Sequence, residues 1–347
     1  MRIFITGGTG FVGSHTVAAL VEAGHKVRLL VRSPERLANV MQPLGVGEVD
    51  FRVGDVTESE SVAGALEGCE AAVHAASVFS FDPRQHQAIR DANVRGAEVV
   101  LGAAIKGGLA PVVHVSSIVA LLPAYGRVLT PDTPPGHAHS TYFQSKADQE
   151  RFARRLQQDG APIVIVQPGS VWGPHDPNYG ESDQTAGNIL ARRMPIIPAG
   201  GMQIVDVRDV AAAIARAVER DHEPRRYLLG GSYVRFRELV RLLAELTGRR
   251  LAAVPMREEF ILPVARAADY VQRFVPFRIP LPSGGIELTR QRARSDDSRA
   301  HDELGFTPRG LRATVADTVR SLVESGRVSP EQAGALAPEV RSRVAEP

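Results

Sequence analysis

MRIFITGGTGFVG, residues 1–13, is the stretch from which the fold is read. Ile3, Phe4 and Ile5 make a short β-branched and aromatic run, the pattern of a buried strand. Glycines at 7, 8, 10 and 13 then break it, and from Phe11 onward Val12, His15, Thr16, Ala19, Leu20 and Ala23 recur at helical spacing. Strand, glycine turn and helix in immediate succession aim backbone N–H groups and a helix N-terminus at one point, where a phosphate is stabilised. Gly7 suits a tight turn, Gly10 a close approach of pyrophosphate to the backbone, and Gly13 a close contact of helix with strand. A glycine pattern by itself also fits an ordinary turn. Its place directly between a strand and a helix makes it a dinucleotide-binding turn, with Phe11 and Val12 beside the ligand.

The chain has 347 residues, 44% of them apolar and 23% charged, enough to bury a full core in one large domain or two smaller ones. Net charge is +2 with acids and bases dispersed, and no basic block proposes nucleic acid as a partner. The single cysteine, Cys69, excludes an internal disulfide framework and reads as a small buried hydrophobe in a reducing compartment. A strand from residue 2 leaves no room for a signal peptide, and no apolar run reaches the roughly 18 residues of a spanning helix, so a cytoplasmic protein is expected. His137 and His139 sit in a Pro-rich loop, and no metal site is expected.

Further along, residues 26–32 read as a second strand, 49–53 as a third, 71–75 as a fourth, 111–116 as a fifth and 162–167 as a sixth. Helices are expected over 59–66, 85–106 and 141–158, with a Pro/Gly-rich loop over 122–140. Alternation of strand and helix means a parallel sheet covered on both faces, a doubly wound α/β fold of the Rossmann type. Beyond Pro168 the rhythm changes. A polar loop is expected over 173–187, a short helix over 188–193, then helices over 207–220, 236–248, 260–274 and 309–324 and a strand over 226–229. Residues 1–168 therefore form the dinucleotide-binding domain, with 203–230 returning to it. Residues 169–202 and 231–325 form a smaller, mostly helical substrate lobe, and 328–347 a loosely held tail.

The ends of the strands carry the chemistry. An acid after the second strand would hold the ribose hydroxyls of NAD, whereas an arginine accepts a 2′-phosphate; this chain has Arg32, with Arg36 following. Asp55 follows the third strand, where it could meet the adenine, or equally serve as an N-terminal helix acid. After the fourth strand the small residues Ala75 and Ala76 let a cofactor lie against the backbone; His74 before them reads as structural. Tyr142 and Lys146, four apart on a helix, share a face. A neighbouring ammonium favours the phenolate and draws the tyrosine toward working pH as a general acid/base. Ser117, at the carboxyl end of the fifth strand, lies where doubly wound sheets bind ligands and could donate to the reacting oxygen.

Together these residues resemble the extended short-chain dehydrogenase/reductase family, the epimerase/dehydratase superfamily, over nearly the whole chain. The first turn matches at Gly7, Gly10 and Gly13, the catalytic set at Ser117, Tyr142 and Lys146, and the adenine contact at Asp55 and Val56. Asn93-Val94-Arg95-Gly96 is similar to the family's Asn-Val-x-Gly helix. Pro168-Gly169-Ser170-Val171-Trp172-Gly173-Pro174 is similar to the stretch beside the nicotinamide, where Pro168 and Val171 are implied contacts and Trp172 replaces a tyrosine. Val207 to Ala211 and Asp296 to Phe306 resemble its returning segment and C-terminal signature. Val31-Arg32-Ser33-Pro34 looks most like the dihydroflavonol-4-reductase group, which uses NADPH; nucleotide-sugar epimerases usually carry an aspartate there.

The resemblance implies an NADP(H)-dependent oxidoreductase, with NAD possible, moving a hydride between nicotinamide and a carbonyl or secondary alcohol. Lys146 would tune the tyrosine and hold the ribose. Ile118 to Leu122, Trp172 and the helix from Phe260 to Phe274 are apolar and suggest a small, apolar, ring-containing substrate. Arg192, Arg193, Arg292 and Arg294 could instead hold a diphosphate. A nucleotide-sugar epimerase with bound NAD(P) and a non-catalytic NADP sensor are the alternatives, and a homodimer is possible. An apolar face on the 260–274 helix also admits contact with a membrane surface, although packing within the lobe explains it more simply.

Overall fold

The structure, a computed structural model, describes residues 1–79, 89–138, 140–219, 223–272, 274 and 280–337. The first half runs β1 (Arg2–Thr6), α1 (Phe11–Glu22), β2 (Lys26–Val31), α2 (Leu37–Met41), β3 (Asp50–Val53), α3 (Ser59–Leu66), β4 (Ala71–His74), α4 (Gly96–Lys106), β5 (Val112–Val115), β6 (Val128–Leu129), α5 (Thr141–Gln158) and β7 (Ile163–Pro168). The second half runs β8 (Ser170–Trp172), α6 (Glu181–Leu190), β9 (Ile196–Pro198), β10 (Gly201–Asp206), α7 (Val207–Glu219), β11 (Arg225–Leu229), β12 (Ser232–Arg235), α8 (Phe236–Thr247), β13 (Val254–Met256), α9 (Glu258–Val271), α10 (Ser283–Arg290), β14 (Arg294–Ser295), α11 (Ser298–Leu304), α12 (Leu311–Glu324) and α13 (Pro330–Ala333).

Among the described residues seven strands form one parallel sheet in the order β3-β2-β1-β4-β5-β7-β11. Its strands are short apolar runs because both faces are covered. Ile3, Ile5 and Leu29 pack on one side with Val17 and Leu20 of α1 and Ile214 of α7. Phe4, Leu30 and Ala72 pack on the other with Leu66 of α3, Leu101 of α4 and Ala153 of α5. Strand order reverses between β1 and β4, which opens a crevice at their carboxyl ends. The second lobe has its own core, built on Trp172, Leu190, Phe236, Leu243 and Val319. It carries a three-stranded sheet, β12-β10-β8, and the pair β13-β9.

Several boundaries differ from the sequence expectations. The helix expected over 188–193 is α6, which starts earlier at Glu181, an acid that suits the positive end of a helix. Of the helix expected over 85–106, residues 85–88 lie outside the described residues, and Asp91–Arg95 form a π-helical turn leading into α4. The helix expected over 260–274 is α9, beginning at Glu258 and ending at Val271. Four helices were not expected, among them the short α2 and α13. α10 holds Gly284 and Gly285, poor helix formers, and is fixed by packing of Ile286 on Leu262 and Ala265. α11 sends Ala300 and Leu304, followed by Phe306, into the first core, so residues 298–306 pack with the nucleotide domain rather than with the lobe. The tail is held in part: Val328 and Ala333 are buried in the lobe core, and Arg249 Nη1 donates to the Gln332 carbonyl at 2.7 Å. Residues 338–347 lie outside the described residues, as does His139. Cys69 is half-buried rather than enclosed.

An ionic seam ties the returning segment to α12. Asp206, 1% exposed, accepts hydrogen bonds from Arg208 N and Nε at 2.9 Å, from Arg208 Nη2 at 2.7 Å and from Thr314 Oγ1 at 2.9 Å. Arg208 Nη2 also reaches Asp317 at 2.8 Å, and next to it Asp209 receives Arg309. Burial alone would push the Asp206 carboxyl up, but the bonds from Arg208 and Thr314 outweigh it and hold the group below the usual carboxylate range. A depressed folded-state pKa contributes stability above the unfolded value that is lost as pH falls. Asp206→Asn should therefore lower stability by about 2 kcal/mol near neutral pH, below the roughly 3–5 of a fully enclosed pair because Arg208 remains 30% exposed. Urea unfolding of both proteins measures this, and the difference between them should shrink on acidification.

Candidate functional site

Gly7 leaves β1 with φ +76°, and a Cβ there would lie 2.5 Å from Ala76 N and 2.6 Å from the Ala75 carbonyl carbon. Bare backbone at Gly7 thus lets the first turn abut the segment after β4. A side chain at Gly13 would collide with the Gly7 carbonyl, so α1 starts hard against the same turn. Gly10 is the N-cap of α1; no side chain caps this end and no acid lies in its first turn. The first N–H groups of a 12-residue helix are therefore presented without a side-chain acceptor at the sheet's switch point, a donor set that suits a pyrophosphate. Phe11, Val12, Ala75 and Ala76 stand half-buried around it.

Arg32, exposed, follows β2, and Asp55, half-buried, follows β3. Asp55 Oδ1 accepts from Thr57 N at 2.9 Å and Thr57 Oγ1 at 2.7 Å. It caps its own turn, whereas the N-cap of α3 is Glu58. Burial pushes this carboxyl up, but the Thr57 bonds and the Arg32 charge outweigh it and hold it below its ordinary value. Arg32 and Asp55 are thus close enough to interact. Val56 packs against Gly96 at the head of α4. Arg36 is engaged elsewhere, donating to Asn178 Oδ1 at 2.9 Å.

Ser117, Tyr142 and Lys146 gather at the end of β5. Ser117 N-caps a 3-10 turn over Ile118–Leu121, donating from Oγ to the Pro168 carbonyl at 3.3 Å. That turn packs on the start of α5 through Ile118, Val119 and Phe143, with Tyr142 against the same cluster. Lys146, 3% exposed, donates from Nζ to the Val115 carbonyl at 3.4 Å, two residues before Ser117. Its pKa is drawn down to about 8 by burial, partly offset by the Glu150 charge. The phenol of Tyr142 does not follow the expectation of a lowered pKa. Burial pushes it above its ordinary value, because removal from water disfavours the phenolate. The Phe79 ring leans on Tyr142 with centroids 4.5 Å apart.

Behind this set lies a buried polar network, in which the sequence had pointed to Asn93 and His74 but not to Glu150 or His114. Glu150, fully buried one turn beyond Lys146, receives Arg154 Nε at 2.7 Å and Gln167 Nε2 at 2.9 Å. Its i+4 spacing from Lys146 was a readable signal. His74 and His114, paired in register on β4 and β5, stack at 5.6 Å; Thr6 Oγ1 meets His74 Nδ1 at 2.8 Å. Burial, helped by the Lys146 charge, lowers both imidazoles and keeps them neutral at pH 7. Asn93, in the π-helical turn, accepts from Val78 N at 2.7 Å and donates to the Val78 carbonyl at 3.0 Å and Ser145 Oγ at 3.2 Å. It pins the segment after β4 to α5, and π-bulges often mark such functional positions.

Three apolar features expected to line a pocket do not. Trp172 is fully buried in the lobe core, its Nε1 donating to Ser170 Oγ at 3.2 Å. Ile118 to Leu122 are buried against α5 and β11. Phe260 and Phe274 point outward and are 67% and 73% exposed. An aromatic on a short strand serves a core as well as a pocket, and periodicity alone does not distinguish them. Pro168 is buried at the end of β7 and Val171 half-buried on β8. Of the candidate diphosphate arginines, Arg192 donates to the Arg250 carbonyl, Arg292 pairs with Glu258 at 3.6 Å, and Arg294 lies over the Tyr233 ring.

Comparison with known proteins places this geometry. The sequence profile of the NAD dependent epimerase/dehydratase family matches residues 3–230, so the chain belongs to that family. A Synechocystis protein named after dihydroflavonol 4-reductase is 31% identical, covering 94% of this chain and 95% of its own. Sterol demethylase protein B of Methylococcus capsulatus is 30% identical over 94% of this chain and 100% of its own. The 4-hydroxy-2-methyl-3-oxo-4-farnesyl-3,4-dihydroquinoline-1-oxide ketoreductase of Stigmatella aurantiaca is 29% identical over 94% and 98%. Among solved structures, gox2253 superposes with TM-score 0.80 at 28% identity, covering 94% of this chain and 99% of its own. A UDP-glucose 4-epimerase of Thermotoga maritima, at 22% identity and TM-score 0.73 over 94% and 99%, shares the fold. The chain is an enzyme of this family, and the reductase names among its relatives fit an NAD(P)-dependent oxidoreductase.

Glu150 raises the pKa of Lys146 against burial, so Glu150→Gln should move it below about 8. The chain has three lysines, Lys26, Lys106 and Lys146, so a 13C-lysine NMR titration resolves the shift. An unmoved Lys146 resonance would separate Glu150 from the site.

Proposed function

We propose that the chain is an NADP(H)-dependent reductase/dehydrogenase that moves a hydride between nicotinamide and a carbonyl or secondary alcohol carbon of a small, apolar, ring-containing substrate. The observation that carries this reading is convergence at one edge of the sheet. The uncapped start of α1, Arg32 beside Asp55, and Ser117 with Tyr142 and Lys146 all lie at the carboxyl ends of parallel strands. The cofactor, when bound, supplies or accepts the hydride. Gly7, Gly10, Gly13, Phe11 and Val12 would border its pyrophosphate, and Arg32 its 2′-phosphate. Asp55 and Val56 would flank the adenine, and Ala75, Ala76, Pro168 and Val171 the remainder.

In this reading Ser117 Oγ donates to the substrate oxygen while Tyr142 Oη moves the proton. A phenol held above its ordinary pKa stays protonated, the form that delivers a proton to a carbonyl. Lys146 contributes a buried positive charge beside the reacting oxygen and a donor for the ribose. The exposed Phe79 ring against Tyr142 supplies an apolar wall at the reacting end, which supports an apolar ring over a sugar. The names of two relatives, a sterol demethylase protein and a ketoreductase of a farnesylated dihydroquinoline oxide, support the same substrate class. The epimerase likeness concerns the fold, and two of the four arginines that a sugar diphosphate would need are engaged by Glu258 and the Arg250 carbonyl.

Two substitutions test the reading. Tyr142→Phe removes only the hydroxyl, and turnover should fall by about 10²–10⁴ with nucleotide affinity retained; near-normal turnover removes Tyr142 from the mechanism. Arg32→Glu should weaken NADPH binding by about 1.5–3 kcal/mol in calorimetry, the scale of a charge-assisted hydrogen bond. Equal affinity of the native protein for NADH and NADPH would overturn the assignment of Arg32.

A further inference from the structure

Residues 173–180 link the two cores. They leave β8, whose Val171 packs on the first core, and enter α6, whose Leu190 lies in the second. On the way they make two side-chain hydrogen bonds to the nucleotide domain. His15 Nε2 lies 3.0 Å from the Pro174 carbonyl, and Arg36 Nη2 donates to Asn178 Oδ1 at 2.9 Å. His15 sits one turn beyond Phe11 on α1, and Arg36 four residues beyond Arg32. The segment is thus fastened beside the helix start that suits a pyrophosphate, and again after β2, where an adenosine phosphate is expected. From the end of β8, expected beside the nicotinamide, it reaches the adenosine end of the crevice.

The two fastenings differ in kind. His15 is 6% exposed, and burial draws its pKa down to about 4, so the ring is neutral at pH 7. A carbonyl only accepts, so Nε2 carries the proton and donates it in a bond shielded from water. Arg36 and Asn178 are both exposed, and their bond exchanges with water. Among the described residues Asn178 is the one side-chain partner of Arg36. The turn that presents Asn178 is held from the lobe side. Asp176 accepts from Asn178 N at 2.9 Å and from Gly180 N at 2.8 Å. His175 N donates to Ser321 Oγ of α12 at 2.7 Å, and the Arg327 guanidinium lies over the Tyr179 ring at 5.0 Å. None of these contacts involves the Asn178 side chain, so losing its bond to Arg36 leaves the turn intact.

A shielded anchor at one end and a water-exposed one at the other make a segment that opens at Asn178 while it stays hinged near Pro174. We propose that residues 173–180 form a strap along the cofactor crevice, latched by Arg36 and Asn178, and that this latch sets how fast the dinucleotide leaves. Asn178 is then a positioning residue of the substrate lobe that acts on the cofactor through Arg36. The proposal rests on the reading that a dinucleotide occupies this crevice. It does not depend on which substrate is reduced.

The test is the release of NADPH from the full chain, followed by its fluorescence in a stopped-flow instrument after mixing with excess NADP+. Asn178→Ala should speed release roughly three- to tenfold, the scale of one exposed charge-assisted hydrogen bond, with an unchanged circular dichroism spectrum. Asn178→Asp sets a carboxylate against the guanidinium and should slow release at low salt, an effect that high salt removes. In an Arg36→Ala background, Asn178→Ala should add nothing further. Unchanged release from the folded Asn178→Ala protein would overturn the proposal. Faster release from Asn178→Asp would also overturn it, by making Arg36 a ligand of the cofactor phosphate that a carboxylate neutralises. An undiminished effect of Asn178→Ala without Arg36 would do the same. A native protein that binds no NADPH would instead defeat the cofactor reading, and the strap with it, whereas the other outcomes leave that reading standing. None of these readouts uses turnover.

Discussion

Where Gly7 passes Ala75 and Ala76, two backbones meet without a side chain between them. A Cβ at Gly7 would enter the Ala75–Ala76 peptide, and its φ of +76° is a conformation that costs an L-residue about 1–2 kcal/mol even in open space. This contact sets the distance between the ends of β1 and β4, the pair between which strand order reverses. The start of α1, packed on Gly7 through Gly13, is therefore fixed relative to the ends of β4 and β5. The uncapped start of α1 and the carboxyl ends of the central strands stand at one crevice because no side chain intervenes there. The local geometry is rigid for the same reason: neither strand can shift without a backbone clash.

The other constraint is a buried ammonium. Lys146 is almost without solvent contact and is held by the Val115 carbonyl and the charge of Glu150, itself fully enclosed and tied to Arg154 and Gln167. Burial of an unpaired lysine would drive off its proton; the carboxylate one turn away keeps the pKa near 8 rather than lower. The stacked His74 and His114 bring polar atoms to the same layer without adding charge, since burial keeps them neutral. Burial moves the Tyr142 phenol up. The two residues of the Tyr-x-x-x-Lys pair are thus displaced in opposite directions, toward neutral lysine and neutral tyrosine. Desolvation drives both shifts.

How much of this was legible depended on the range of the interaction concerned. Strand–helix alternation to Pro168 was readable because strands covered on both faces are short apolar runs and each helix carries its own period; α3 and α5 fell where periodicity placed them. The placement of Ser117 after β5, and of Tyr142 and Lys146 on the following helix α5, was readable because a parallel sheet delivers the ends of its strands to one edge. The Glu150–Gln167 bond and the His74–His114 stack join elements distant in sequence, and nothing local marks a glutamate on a polar helix as buried. Trp172 illustrates the converse. Its type and position suited a pocket wall, but β8 pairs with β10 and turns that side chain into the lobe core. The helices α10 and α11 were too short, and α10 too rich in glycine, to stand out before their packing partners were known.

The same reasoning bears on α9. Folding selects apolar residues for the inward side of a surface helix, and each large side chain so enclosed contributes about 1.5–3 kcal/mol. In α9 the selection runs the other way. Its inward side holds Leu262, Ala265 and a charged Glu258, whose carboxylate accepts from Gly200 N at 2.5 Å and pairs with Arg292. Its outward side carries Phe260, Val264, Tyr270 and Val271, with Phe274 just beyond the helix end, and the Tyr270 and Phe274 rings meet edge-on at 5.5 Å. The helix is thus held by polar contacts at its base as much as by its narrow apolar inner side, so an apolar period marked the helix in the sequence without telling which side faces the lobe.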